Sequence, residues 1–432
     1  MNHNNETEII VEGNSSSGTR FLLPFILVIS LFFLWGMAHN LDSVLIPHLK
    51  KAFNLNNSDS TLIDTSIFFA YFLMAIPSGI ILKKWGYKVS MITGLLTFAV
   101  GAFLFVPAAN QLSFTLFLIA LFIIGCGLTI LETSANPYAA VLGDPSKSTF
   151  RLNLAATFNG LAAPVAAFVG TFILSGKSHT QDELAAMTDV ARNAYFLEEA
   201  STVKVPYIIL GSVVVLVALI FCFMKLPEIK TKSVDGDAKG SFFGALRHKH
   251  LRWAVIAQFF YVGAQVCVTS FFIRAAQQGA GFDELTALKF LALYGTLFLV
   301  GRFVGTFLLR FVAAPKLLSI YAVVAALLSL VAILGEGSYV VYALGGLGFF
   351  MSIMFPTIFG LGIEGIGDDT KPGSSWLIMA IVGGAVIPYL MGMLIDSYGD
   401  DIQIGYSIPF VCYLVILYFG LKGYKISALK KD

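Results

Sequence analysis

Twelve apolar stretches run along this chain, each close to the length a helix needs to cross a lipid bilayer. They cover roughly residues 21–47, 60–83, 89–108, 113–140, 150–175, 204–225, 251–277, 286–310, 316–335, 338–362, 374–396 and 404–423. A spanning helix takes ~20 apolar residues. Inside hydrocarbon its backbone groups must be bonded within the segment itself, which makes segments of this length helices. The expected fold class is an all-α membrane protein with twelve transmembrane helices. Composition agrees, with 57% hydrophobic and 12% charged residues, against roughly 25% charged in soluble domains. A net charge of +2 supplies no basic surface for nucleic acid. The lipid bilayer is the first expected partner, and a monomer is the expected state.

Short loops separate most spans, and two connections are longer. Residues 176–203 are polar and mixed in charge, and 226–250 contain Pro, Gly, Asp and many Lys. The domain reading is a disordered tail over 1–20, a six-helix bundle over 21–225, a linker over 226–250, a second bundle over 251–425 and a tail over 426–432. Lys and Arg concentrate on one side, with Lys83, Lys84, Lys88, Lys147, Arg151, Lys225, Lys316 and Lys425 among others. The opposite loops hold Lys50, Lys51, Lys177, Arg192 and Lys204. By the positive-inside rule both termini face the cytoplasm. Cys126, Cys222, Cys267 and Cys412 each stand alone in apolar surroundings, so neither a metal site nor a disulfide is expected.

The two halves repeat weakly. Gly79-x4-Lys84-Trp85-Gly86-Tyr87-Lys88 follows span two, and Gly305-x4-Arg310 follows span eight, 226 residues later. Pro137 and Pro356 stand 219 apart in spans four and ten, and Pro164 and Pro388 stand 224 apart in spans five and eleven. Three matches near one offset indicate a duplicated six-helix unit, an arrangement that puts binding sites at the midplane between repeats. Gly79, Lys84, Lys88, Gly305 and Arg310 read as a cytoplasmic latch, since Gly allows close helix approach and cations cap helix C-termini. Arg302, one turn before Gly305, reads as a latch residue and not a substrate ligand. The in-span prolines permit kinks, and Gly383-Gly384 near Pro388 make span eleven bendable.

Glu132 lies in the middle of span four. A charged group at the bilayer centre costs at least ~2.5–3.5 kcal/mol on insertion scales, so its retention marks a path for protons or a polar solute. Burial disfavours its ionised form, so it is expected to hold a proton when occluded and release it on opening to the cytoplasm. In span one, His39 and Asp42 are three residues apart on one helix face, a pair suited to proton relay. Asn40, Asn136 and Asn159 offer amides that match vicinal hydroxyls, while Asn153 reads as structural. Gln258, Tyr261 and Gln265 share one face of span seven, with Gln265 and Tyr261 as candidate substrate contacts. Trp35 and Phe355 supply flat apolar faces for packing against a substrate.

Longer strings carry a family resemblance. Phe33-Leu34-Trp35-Gly36, Leu131-Glu132-Thr133 through Asn136-Pro137, and Arg151-Leu152-Asn153-Leu154-Ala155 with Phe158-Asn159 resemble the bacterial fucose–proton symporters of the major facilitator superfamily. Tyr261-Val262-Gly263, Gly301-Arg302-Phe303, Ser352-Ile353-Met354-Phe355-Pro356-Thr357 and Ala380-Ile381-Val382-Gly383-Gly384 resemble the related glucose/galactose transporters. The resemblance runs from about Phe32 to Lys425. It implies inward sugar transport by alternating access, coupled to protons, with Glu132 touching the sugar, Asn159 binding it and a span-one aspartate taking part in coupling. The family reads Asn-Leu-Asn-Asp where this chain has Asn40-Leu41-Asp42-Ser43, which turns the carboxylate about 100° around the helix. The fucose symporters carry Gln, Trp and Gln-Tyr where Ala156, Thr269 and Met354-Phe355 stand here. The substrate is a monosaccharide of the fucose, glucose or galactose type. The alternatives are a uniporter or sodium-coupled carrier of the same fold, and a transport-dead sugar sensor. No Gly-x4-Gly-Lys-[Ser/Thr] nucleotide motif occurs, and the scattered His residues make no catalytic constellation. An enzyme is therefore not expected, nor any cofactor beyond the coupling ion.

Overall fold

A computed structural model of the chain describes residues 9–10, 21–52, 57–173, 187–202, 204–227, 230–231 and 242–426, with the side chains of 9–10, 41–52, 57–65, 167–173, 189, 193, 196, 199–200, 202, 230–231 and 284 outside that description. Helices form where the apolar stretches lie. In chain order they are α1 Leu22–Ala52, α2 Asn57–Asn110, α3 Phe114–Val141, α4 Ser148–Ile173, α5 Asp189–Thr202, α6 Lys204–Phe223, α7 Lys249–Ala280, α8 Glu284–Leu308, α9 Ala314–Leu334, α10 Ser338–Met351, α11 Met354–Gly362, α12 Thr370–Met379, α13 Gly383–Ser397, α14 Ile402–Gly405 and α15 Ser407–Tyr418. Among the described residues ten helical stretches are long and apolar enough to cross a membrane. One of them, Ser66–Asn110, bends at Gly86 into two arms, and α4 occupies the place of span five, so every expected span is helical. Large apolar side chains such as Leu216, Phe223, Phe307 and Leu327 point outward, as lipid-facing surfaces do. The segment 176–203, read from sequence as a polar loop, contains α5. Residues 176–186 and 203 of that loop and nearly all of 1–20 lie outside the described residues. Ile9–Ile10 pair antiparallel with Lys230–Thr231.

The chain gathers into two compact units. One comprises Ile29–Ala135 and Leu161–Leu226; the other comprises Met1–Val28, Asn136–Gly160 and Pro227–Asp432. The segment 136–160, which by sequence order belongs to the first six spans, thus makes its contacts within the C-terminal unit.

In the first unit the second arm of α2 crosses α3 at bare backbone. A Cβ on Gly94 would lie 3.0 Å from the Gly127 carbonyl oxygen, and one on Gly127 would lie 2.8 Å from the Phe98 Cα. Small residues are what let membrane helices approach this closely. Phe105 stacks on Tyr207 at 3.6 Å between ring centroids, joining α2 to α6. Gly127→Val is expected to lower the thermal midpoint of the purified carrier, since overpacking costs ~1–3 kcal/mol. An unchanged midpoint would mean that the two helices part freely.

The interruptions follow from backbone chemistry. Gly86 takes φ +77°, a left-handed value that glycine adopts without strain, and there spans two and three meet. Lys88, just beyond, donates to the Cys222 carbonyl at 2.9 Å, capping the end of α6. Span ten is broken between α10 and α11. Pro356 has no N–H for the Ser352 carbonyl and its ring crowds that carbonyl, so the helix gives way four residues earlier. Ser352 Oγ turns back to the Phe349 carbonyl at 2.6 Å, and the Tyr261 hydroxyl donates to the Met351 carbonyl at 3.2 Å. Span eleven carries a 3₁₀ turn at Ala380–Val382, directly before the Gly383-Gly384 pair and a turn ahead of Pro388.

In the second unit the last part of the 226–250 segment is docked. Trp376 donates its indole N–H to the Phe242 carbonyl at 2.8 Å and stacks on the Phe242 ring. Arg247 and His248 reach Asp369 at 3.1 and 2.9 Å. Outside the spans, hydrogen bonds from the hydroxyl and backbone of Ser146 hold the Asp144 carboxyl below the usual carboxylate range.

Candidate functional site

In the first unit, Glu132 is buried on α3 at 5% exposure. The Tyr71 hydroxyl, from the first arm of α2, donates to its Oε1. A phenol has a single proton to donate. Since that proton goes to Glu132, the Tyr71 oxygen accepts from His39, whose Nε2 lies 3.2 Å away. His39 Nε2 is also 3.9 Å from Glu132 Oε1. The His39 side chain is 40% exposed and that of Glu132 only 7%. Three titratable groups on three helical segments thus run from an accessible imidazole to a buried carboxylate.

The other span-one candidates are placed more simply. The Asn40 amide donates to the Gly36 carbonyl of its own helix at 2.7 Å, which commits one of its donors. Trp35 is buried against Phe32 at 4.1 Å between centroids. The side chain of Asp42 lies outside the described residues.

The second unit carries a seam between the start of α4 and the helices α8 and α11. Arg151 fixes the entry to α4, donating to the carbonyls of Ala139, Ala140 and Asp144 and so capping the end of α3. Beyond it, Asn153 Nδ2 donates to Thr357 Oγ1 at 3.1 Å, and the hydroxyls of Thr157 and Thr306 meet at 3.2 Å. The Arg302 guanidinium is buried; its Nη1 donates to the Ala156 carbonyl and to Asn159 Oδ1, the latter at 3.3 Å. Phe298 lies under the guanidinium at 4.8 Å, and Arg310 lies over Phe150 at 5.2 Å. Glycines make the approach possible: a Cβ on Gly160 would touch Arg302 Cδ and Leu299 at 3.2 Å, and one on Gly360 would lie 3.4 Å from the Thr149 Cβ. Gly305 lies against Ile353 and Tyr321. Gly79 is buried, while Lys84 is exposed over the Trp85 ring at 5.7 Å.

The span-seven stripe is graded by burial. Gln258 and Tyr261 are fully buried and Gln265 is half-buried. Tyr261 meets Phe355 edge to face at 6.2 Å. Asn136 is buried and Asn159 half-buried.

The structure therefore joins His39 to Glu132 and Arg302 to Asn159, and adds residues that the sequence reading missed. Tyr71 is one. Its signal was a single hydroxyl among the aromatics of Phe68-Phe69-Ala70-Tyr71-Phe72. Thr157, Thr306 and Thr357 are others, and nothing in their local sequence distinguishes them from ordinary small in-span residues.

Comparison with known proteins gives a consistent picture. The family model described as Major Facilitator Superfamily matches residues 25–375. The chain is 42% identical to the L-fucose-proton symporter of Escherichia coli K12 over 417 residues, 95% of each chain. It is 37% identical to the glucose/galactose transporter of Brucella abortus over 399 residues, 91% of this chain and 92% of that one. Its fold superposes on the crystal structure of the transporter FucP in the outward conformation with a TM-score of 0.87 at 42% identity, covering 93% of this chain and 98% of that one. Fold and sequence agree: this multi-pass membrane protein belongs to the Major Facilitator Superfamily.

Proposed function

We propose that this protein imports a monosaccharide, of the fucose, galactose or glucose type, together with a proton across the cytoplasmic membrane. The observation that carries the reading is the buried Glu132, bonded by Tyr71 and approached by the half-exposed His39. A carboxylate deep in a membrane protein, reached through titratable groups from an accessible one, is the equipment of a proton carrier. The names of the relatives support the substrate class. No cofactor beyond the proton is needed. One proton moving down a 100 mV potential supplies ~2.3 kcal/mol, which sustains about a fiftyfold sugar gradient at ~1.4 kcal/mol per factor of ten.

Asn159 and Gln265, half-buried amides in the second unit, are the proposed sugar-hydroxyl contacts there, with Tyr261 and Phe355 as apolar faces. The seam of α4 against α8 and α11 is the proposed cytoplasmic gate, closed in this structure. Its cytoplasmic placement rests on the Lys and Arg bias, which also puts both termini inside.

The test is to add fucose, galactose or glucose to de-energised, lightly buffered vesicles and record external pH. Alkalinisation with one of them is expected. Entry of labelled sugar with no pH change would overturn proton coupling and leave a uniporter or a sodium-driven carrier.

A further inference from the structure

Arg302 was expected only to latch helices, yet its surroundings are those of a cation held short of partners. It is 9% exposed. Its Nη1 serves a backbone carbonyl and the Asn159 amide oxygen, and the face of Phe298 lies under the guanidinium. Its Nε–H is buried and has no hydrogen-bond partner among the described residues. No carboxylate among the described residues lies within ion-pair distance of it. A guanidinium has five donors in a rigid fork, and burying such a cation with a donor unused is unfavourable unless an acceptor arrives.

Sugar hydroxyls are such acceptors, and the residue sharing Arg302 is Asn159, the half-buried amide proposed above as a sugar contact. Asn159 Oδ1 has two lone pairs, and a sugar hydroxyl donating to it competes with the long 3.3 Å bond from Arg302. We infer that Arg302 is itself a sugar-contact residue, and that the sugar, by taking Asn159 and the unsatisfied guanidinium N–H, breaks the Arg302 bonds to α4 and releases the gate. This rests on the proposed function and adds the link between occupancy and opening. What then remains is the pairs Thr157 with Thr306 and Asn153 with Thr357, which are neutral, and the Arg310 cation over Phe150, so loss of the Arg302 bonds weakens the closure.

The experiment reads gate closure directly. In a full-length carrier whose four native cysteines are replaced by alanine, Thr149→Cys with Gly360→Cys places two thiols across the seam, and the rate of oxidant-driven crosslinking reports the closed population. Saturating fucose or galactose, whichever moves protons in the vesicle assay, is expected to lower that rate about tenfold, within the 5–150-fold range of typical coupling between sites. Arg302→Gln is expected to lower the rate without sugar and remove the response. Arg302→Lys, which keeps the charge but loses the fork, is expected to hold the gate while losing the response. Asn159→Asp should act in the opposite direction, gaining an ion pair with Arg302, raising the rate and blunting the response. A full sugar response surviving in both Arg302 variants overturns the inference. If the unsubstituted carrier moves protons with sugar while its crosslinking ignores the sugar, this inference falls and the proposed function stands. If no sugar enters or moves protons, both fall.

Discussion

Glu132→Gln is expected to abolish sugar-driven proton uptake, collapsing accumulation from about fiftyfold to simple equilibration. Exchange of internal for external sugar should continue. Glutamine keeps the shape of the side chain and an oxygen that still accepts from Tyr71, so the fold and the hydroxyl-binding capacity survive while the titratable proton is lost. The check is external pH and labelled-sugar accumulation in energised vesicles, with counterflow as the control. Undiminished alkalinisation in Glu132→Gln would move the coupling proton elsewhere, with Asp42 the next candidate. Tyr71→Phe gives a graded companion result. A hydrogen bond to a charged group contributes ~1.5–3 kcal/mol, or about one to two orders of magnitude in the step that depends on it. Coupled uptake should fall by that factor and sugar exchange by less.

The second large effect is a lock. A Cβ at Gly360 would lie 3.4 Å from the Thr149 Cβ, close to the ~3.5–4.5 Å separation of natural disulfides. The pair Thr149→Cys and Gly360→Cys is therefore expected to oxidise readily and to reduce net uptake to background, with recovery on adding a reductant. The unoxidised double variant should transport normally, apart from any cost of the added Cβ at Gly360. Cys126, Cys267 and Cys412 are buried and Cys222 is exposed, so the background to clear is mainly Cys222. Transport requires the start of α4 to leave α8 and α11 if this seam is a gate. Uptake that persists in the fully crosslinked protein would show the seam to be static packing, and the gate would have to lie elsewhere.

Much of the site was legible locally because its signals are local. Glu132 is conspicuous since a carboxylate in an apolar run carries its own energetic cost. Pro356 announced a break, and the chain breaks four residues earlier, where the proline leaves a carbonyl without its partner. The Gly79-x4-Lys84-Trp85-Gly86-Tyr87-Lys88 string was read as the junction after span two, and within it Gly86 takes the positive φ of the turn. Asn40 shows the limit of the same reasoning. An amide in a membrane helix reads as a substrate ligand, but one of its donors goes to the carbonyl a turn back, a local alternative always open to a short polar side chain.

The sequence by itself determined the medium, the helices and the kinds of chemistry available, because apolar length, proline and buried charge act over one or a few turns. Only the tertiary structure decided which groups meet. Tyr71 reaches Glu132 across 61 residues of chain, and Arg302 reaches Asn159 across 143. Such pairs are set by which helix faces pack together and by where glycines such as Gly160 and Gly360 let backbones approach. In a membrane helix almost every face is apolar, so hydrophobic pattern gives little information about which side turns inward. Partner choice therefore rests on close packing between helices, which no single segment encodes.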